Sequence, residues 1–187
     1  MFYRLRRIRK LFPIGFHAEY VYEHRLESIP VVSCDSSLEI RCISEDEVTS
    51  LLEVWNVNLD KALARLNRGD LCFAGFLSGR IASYHWVQYF GDHFVQQAGR
   101  TYPVLPGEGW IYHVRVAEWA RGRNINGAVY AKILEDARSR GKKVIHVYTS
   151  AGNTNNQKGL LKCGFKLARK LISFRSGQRF TLIFVLR

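Results

Sequence analysis

The sequence predicts a mixed α/β (α+β) domain: a mostly antiparallel sheet of six to seven strands with helices on both faces. Three observations predict it. Alternating apolar segments recur along the chain, two pairs of them closed by short turns into hairpins. Several stretches carry apolar residues at helical spacing. A strand–loop–helix–strand unit runs from Trp110 to Tyr148. From Leu38 onward the predicted order is β α α β β β α β α β β.

Residues 1–12 place Phe2, Leu5, Ile8 and Leu11/Phe12 about one helical turn apart, with Arg4, Arg6, Arg7, Arg9 and Lys10 between them. This spacing predicts a basic amphipathic helix. It suits either an anionic membrane surface or, more commonly, packing of the apolar stripe on its own domain. Pro13 ends it, residues 18–27 alternate weakly as an extra strand, and residues 28–37 form a linker. The domain reading is therefore 1–37, N-terminal basic helix and extension, and 38–187, the main domain.

Leu38 to Ile43 alternates as a strand. Ser44 with Glu47 three positions on is a capping box, opening a helix whose apolar face is Val48, Leu51, Leu52 and Trp55. A second helix covers Leu59 to Asn67. Leu71–Leu77 and Ile81–Phe90 form a hairpin around Ser78-Gly79, and residues 91–107 read as a polar loop, either a substrate-facing flap or a disordered insertion. Trp110–Val116 is a strand, Ile125–Arg138 a helix, Val144–Tyr148 a strand, and Asn153–Lys162 a short helix stopped by Gly164. Phe165–Phe174 and Arg179–Leu186 close the chain as a hairpin around Ser176-Gly177.

With 187 residues, 47% apolar and 24% charged, the chain has globular composition and enough length for a real core. No apolar run approaches the ~20 residues of a membrane span, and the N-terminus lacks the apolar core of a secretory signal. Cys34, Cys42, Cys72 and Cys163 form no CxxC pair and the six histidines are scattered. A reduced, cytoplasmic protein without metal is expected, membrane-peripheral if residues 1–12 bind lipid.

Charge is unevenly distributed. Residues 1–136 hold 16 basic and 16 acidic side chains, whereas residues 137–187 hold 12 basic and none acidic, the whole net charge of +12. Such one-sidedness suits a polyanionic ligand.

The most informative stretch follows the strand ending at Val116. Arg121-Gly122-Arg123-Asn124-Ile125-Asn126-Gly127 is a basic, Gly- and Asn-rich loop leading straight into a helix. Free backbone N–H groups and a positive helix N-terminus then meet at one point, the geometry that cradles a phosphate or pyrophosphate.

This loop resembles the pyrophosphate loop of the GNAT superfamily of acetyl-CoA-dependent N-acetyltransferases, an Arg or Gln followed by x-x-Gly-x-Gly/Ala. Asn153 through Lys162-Cys163-Gly164-Phe165 is similar to that family's Asn-led helix ending in an x-Gly-Phe turn. The resemblance covers residues 38–187. It implies a central strand and its neighbour splayed into an acyl-CoA cleft. Val114 and Val116 would bond the pantetheine arm through their backbone, the loop from Arg121 to Gly127 would hold the pyrophosphate, Asn153 would contact the pantetheine, and Lys158 would meet the nucleotide end.

Three departures from the pattern stand out. Asn124 and Asn126 replace both loop glycines, and Asn is the residue that best tolerates the left-handed conformation after glycine. Leu160 stands at the family's tyrosine acid. Trp110 stands near the position where some members carry a glutamate base. Candidate groups for proton transfer are Glu108 at the start of the central strand, His113 within it, and Tyr112 and Tyr148 on the two strands flanking the expected cleft; His113 alternates away from Tyr112 and Val114, which points it to a different layer.

No GxSxG, HExxH, Walker or clean GxGxxG motif offers another chemistry. The function expected is therefore acyl-CoA-dependent N-acyltransfer, with acetyl-CoA as cosubstrate, an amine acceptor of unknown class, and no metal. The alternatives are an inactive acyl-CoA-binding module or a basic module on anionic membrane or nucleic acid; the aromatics sit in apolar strands rather than in a base-stacking pattern, which disfavours nucleic acid.

Overall fold

The computed structural model describes residues 14–176 and 179–186. The helix expected over residues 1–12 lies outside them, as does Gly177 of the last expected turn. Ten strands are described: β1 Ile14–Arg25, β2 Leu38–Cys42, β3 Leu71–Leu77, β4 Arg80–Gln88, β5 Asp92–Val95, β6 Arg100–Pro103, β7 Glu108–Val116, β8 Val144–Ser150, β9 Lys166–Ser176 and β10 Arg179–Leu186. Three α-helices accompany them: α1 Leu59–Asn67, α2 Ile125–Ser139 and α3 Thr154–Lys162.

Eight strands form one sheet in the order β10-β9-β1-β8-β7-β4-β3-β2. Every described pairing in it is antiparallel except β7 with β8. The strand count exceeds the expected six to seven because β1 is a central member. It lies between β8 and β9, with Glu19 opposite Ser150 on one side and Leu171 on the other.

The N-terminal half departs from expectation at two further places. The capping box is only half made. The Glu47 carboxylate accepts from the Ser44 backbone N–H at 3.1 Å, but the Ser44 hydroxyl turns to Asp46 and Glu47 instead of capping a backbone N–H. The segment Val48–Glu53 is 3₁₀ rather than α. Its inward residues Val48, Leu51 and Val54 recur every three positions, the 3₁₀ period, while Leu52 and Trp55 are exposed. Residues 91–107 are not an unstructured loop: β5 and β6 pair as a hairpin around a short 3₁₀ turn, Gln96–Ala98.

That hairpin folds onto the sheet. Val95 and Ala98 join Val21, Trp110 and Leu171 in a small second core cluster. The main core takes in both faces: α2 packs across β2, β3, β4 and β7, and Ala62 of α1 with Trp86 and Tyr112 belongs to the same cluster. Strand β4 shows a face to each side: His85 meets Tyr130 of α2 edge-on at 4.9 Å, while Trp86 lies under Arg65 of α1. The central strands are buried on both faces, so they read as near-continuous apolar runs.

Candidate functional site: a cleft where two parallel strands part

Strands β7 and β8 pair from Glu108/Val144 to Ile111/Val147 and no further. Beyond that point β7 follows β4, through Arg115 opposite Tyr84 and Val116 opposite Ser83. Between the Trp86/Tyr112 and Tyr84/Arg115 pairs, β7 carries one extra residue. This bulge places His113 at φ 48°, and bulges of this kind bend a strand and re-aim its side chains. The strands therefore splay at one end, as the sequence resemblance implied. Val114 and Val116 lie on the separated part of β7, half-buried, and the Val114 carbonyl accepts from the Arg115 guanidinium at 2.8 Å.

The loop after β7 leads straight into α2 and leaves backbone donors unpaired. Gly122 has φ +82° and a side chain there would meet open space. Asn124 adopts the left-handed conformation, φ 56° and ψ 19°, as N-cap residue of α2, which is the role expected of it as a stand-in for glycine. Asn126 differs: it is already helical, and its amide donates to Asn156 of α3 at 3.3 Å rather than rimming the loop. Among the described residues, no acceptor receives the backbone N–H groups of residues 122–127. Arg121 and Arg123 are exposed beside them, and Ile125 and Gly127 are buried in the first turn. Free N–H groups at a helix start complement a pyrophosphate in charge and geometry. The linker crosses the same loop: Asn124 Nδ2 donates to the Ser33 carbonyl at 2.9 Å and Arg123 stands 4.0 Å from Asp35.

A pocket of about 300 Å³ lies on the opposite face of the sheet, with its floor at the parting point. The floor is Tyr112, His113 and Tyr148. One wall is α1 with Lys61 and Arg65, followed by Arg68. The other wall is the β5 hairpin with Asp92 and His93, backed by Gln88. The bulge explains why Tyr112 and His113, adjacent in sequence, both reach this pocket; the expectation from simple alternation that His113 faces another layer is overturned.

Tyr112 is committed elsewhere. Its hydroxyl and the Arg68 guanidinium both bond the buried Asp70 carboxylate. Burial, then Asp70, hold the Tyr112 phenol well above its ordinary pKa. It is a fixed strut, not a proton donor. Tyr148 has no such partner and is pushed up to about 12 by burial and then by Glu19, so its hydroxyl stays protonated.

Of two groups that the sequence did not single out, His93 lines this pocket and Glu19 neighbours Tyr148. His93 is buried, stacked on Trp110 at 4.9 Å, and its Nδ1 lies 2.9 Å from Gln88 Oε1. The Gln88 amide nitrogen donates to the Phe90 and Asp92 carbonyls, so its oxygen must accept. His93 therefore carries its proton on Nδ1, and its Nε2 is buried with no hydrogen-bond partner among the described residues. Burial first, then the charge of Arg68, press its pKa down to about 3. Glu19 of β1 is 4% exposed. It is the diagonal cross-strand neighbour of Tyr148, which opposes Val21, and burial lifts its carboxyl to about 7. A carboxyl at a position alternating with buried Val21 was the available signal for Glu19; the alternation of His93 with Val95 was the signal for the hairpin.

The expected proton-transfer residues thus separate. His113 and Tyr148 share the pocket floor. Desolvation and then Arg65 press the His113 imidazole down to about 4. Glu108 sits at the closed end of β7, six residues and roughly 20 Å from Val114, with its carboxylate 3.5 Å from His146. That distance removes it from the cleft. Asn153 caps α3 by accepting from the Asn156 N–H at 3.2 Å, Lys158 is exposed on the same helix, and Leu160 is fully buried in the main core. Among the described residues no three His, Cys, Asp or Glu side chains gather as a metal site, and no helix is long and apolar enough to cross a membrane.

A mixed sheet with one parallel strand pair that parts over a phosphate-type loop is an acyl-CoA acetyltransferase architecture. Residues 40–165 match the acetyltransferase (GNAT) family model, and the chain belongs to that family. No curated protein matches it. Among solved structures it resembles the GCN5-related N-acetyltransferase of Sphaerobacter thermophilus, with a TM-score of 0.65 at 16% identity over 94% of this chain and 56% of that one. A GNAT-family acetyltransferase of Colwellia psychrerythraea gives 0.64 at 15% identity, over 86% of this chain and 56% of that one. The ribosomal-protein-alanine N-acetyltransferase of Brucella melitensis gives 0.51 at 23% identity, over 68% and 84%. The chain thus spans little more than half the length of the first two, and at these identities the likeness is one of fold.

Proposed function

We propose that this protein transfers an acyl group, acetyl in the first instance, from acyl-CoA directly to an amine. The observation that carries the reading is the parting of β7 from β8 after Ile111/Val147, with a loop of unbonded N–H groups on one side and a pocket of proton-handling side chains on the other. The backbone of residues 122–127 receives the pyrophosphate, and the free edge of β7 at Val114 and Val116 receives the pantetheine. Asn153, whose amide nitrogen is not used by its cap, and Lys158 border the same side.

The chemistry balances as follows. The amine nitrogen bonds to the thioester carbon, the carbon–sulfur bond breaks, and one amine proton is lost while the thiolate gains one. At neutral pH the Glu19 carboxyl is matched to accept a proton, because a useful base titrates near the working pH. His93, fixed by Gln88 and Trp110, holds the hairpin wall in place and brings no charge to repel the incoming amine. The Tyr148 hydroxyl donates a hydrogen bond to the departing sulfur. His113, kept neutral chiefly by desolvation and then by Arg65, adds no repulsive charge. Most of the acceleration comes from positioning the two reactants.

A titration calorimeter and a CoA-release assay test this together. CoA should bind and acetyl-CoA should be consumed in the presence of an amine. Absence of any heat or thermal shift at millimolar CoA would overturn the assignment. A second reading, a CoA-binding module without turnover, is favoured by one observation: the linker from Ser33 to Asp35 already holds Asn124 and Arg123 of the loop. Tight CoA binding with no CoA release across an amine panel would select it.

A further inference from the structure

We propose that the acceptor is an amine that also carries an oxyanion, a carboxylate or a phosphate, and that Arg65 receives that group. This deepens the acyl-transfer reading and rests on it.

Arg65 projects from α1 into the pocket with its guanidinium over two rings, 5.2 Å from the centroid of Trp86 and 5.3 Å from that of Tyr112. It has no carboxylate partner among the described residues. Its neighbour Arg68 differs, because its guanidinium is spent on the buried Asp70. A guanidinium held by its faces against aromatic rings keeps its N–H edge free, and that edge matches carboxylate and phosphate oxygens two at a time. Lys61, one helical turn earlier on the same wall, likewise has no carboxylate partner among the described residues and adds positive charge.

The field of these cations fills the pocket. Burial first, then cations that include Arg65, depress the imidazoles of His93 on the hairpin wall and His113 on the floor. A simple ammonium would be repelled by such a site, whereas an amine with an attached oxyanion would be drawn in. The opposite wall suits the amine end: Asp92 is the one carboxylate among the described lining residues, and it stands on the hairpin, away from Lys61 and Arg65 of α1. The pocket is therefore polarised, oxyanion toward α1 and amine toward the hairpin, and the amine is held above the floor where the strands part.

The test uses the full chain and matched amines: β-alanine against propylamine, and O-phosphoethanolamine against ethanolamine. CoA release is followed at saturating acetyl-CoA, and both anionic amines are titrated calorimetrically into CoA-loaded protein. One anionic member should exceed its neutral partner in kcat/KM by tenfold or more, and which pair responds identifies the oxyanion. Arg65→Met keeps a long side chain over the two rings. It should lower kcat/KM for the anionic acceptor at least tenfold, leave the neutral partner within about twofold, and leave CoA affinity unchanged. Equal use of both members of each pair, an equal loss on both in R65M, or no binding of either anionic amine to CoA-loaded protein would overturn the inference. Failure of CoA itself to bind would instead overturn the reading beneath it.

Discussion

Replacing Glu19 with Gln should stabilise the protein at alkaline pH and leave it nearly unchanged in acid. Glu19 is buried and its carboxyl is raised by burial from 4.5 to about 7. A carboxyl whose pKa is higher folded than unfolded holds its proton more tightly in the folded state. The stability this provides is complete below 4.5, declines as pH rises, and is gone above about 7. The difference corresponds to about 3 kcal/mol. Glutamine has the same shape and no charge to bury, so E19Q escapes the loss. Urea unfolding of both proteins at pH 4.5 and pH 8 gives the difference directly, and contributions from the buried histidines cancel in it. The gap between variant and wild type should widen by about 3 kcal/mol from acid to alkali, or about 6–12 °C in Tm at this chain length. A gap that stays constant within about 1 kcal/mol would mean that Glu19 is not ionising in its buried position. If Glu19 accepts the amine proton, the same variant should also lose turnover while gaining stability, and the alkaline limb of its rate profile should shift.

Four further outcomes are expected. Gly122→Pro should weaken CoA binding with little change in fold, because Pro cannot adopt φ +82°; calorimetry and circular dichroism read the two effects. Asn124→Gly should keep the loop geometry and release the tie to Ser33, so CoA should bind equally or more tightly; a tenfold loss, about 1.4 kcal/mol, would make the amide a ligand contact. Leu160→Tyr should not restore a proton donor, because Leu160 is fully buried; overpacking should cost about 1–3 kcal/mol without any gain in rate. His93→Phe should preserve the stack on Trp110 while breaking the bond to Gln88 that fixes the hairpin wall, raising KM for the amine and leaving the KM for acetyl-CoA unchanged.

The order of strands and helices from Leu38 onward was legible because its periods are clear. Leu71–Leu77 and Arg80–Gln88 are apolar runs on either side of Ser78-Gly79, and both turn residues take positive φ as such a turn requires. Residues 91–107 were not legible as structure, since β5 and β6 are four residues each and their inward positions include His93, a residue that local patterning counts as polar. The bulge at His113 was invisible for a different reason. It is set by pairing with β4, far away in sequence, and it reverses the facing that alternation predicts. Glu108 illustrates the same limit, because closeness to the central strand in sequence carries no information about which end of that strand opens.

The spatial position of β1 changes how the missing family residues are understood. At the two positions where the family pattern offers an acid and a base, this chain has Leu160 and Trp110, both buried in packed clusters. Neither can be repaired by a small movement. The groups proposed here to serve the reaction instead enter from outside the strand–loop–helix unit. Glu19 comes from β1, upstream of the residues that match the family, and His93 comes from the hairpin between β4 and β7. Strand β1 forms two antiparallel ladders, with β8 and with β9, so it cannot be removed without exposing both. The same ladders fix Glu19 beside Tyr148. A variant lacking residues 1–37 would therefore lose the centre of the sheet and the candidate base in one step, and its failure to turn over substrate would say nothing about chemistry. Point changes at Glu19, made with the ladders intact, separate the two contributions.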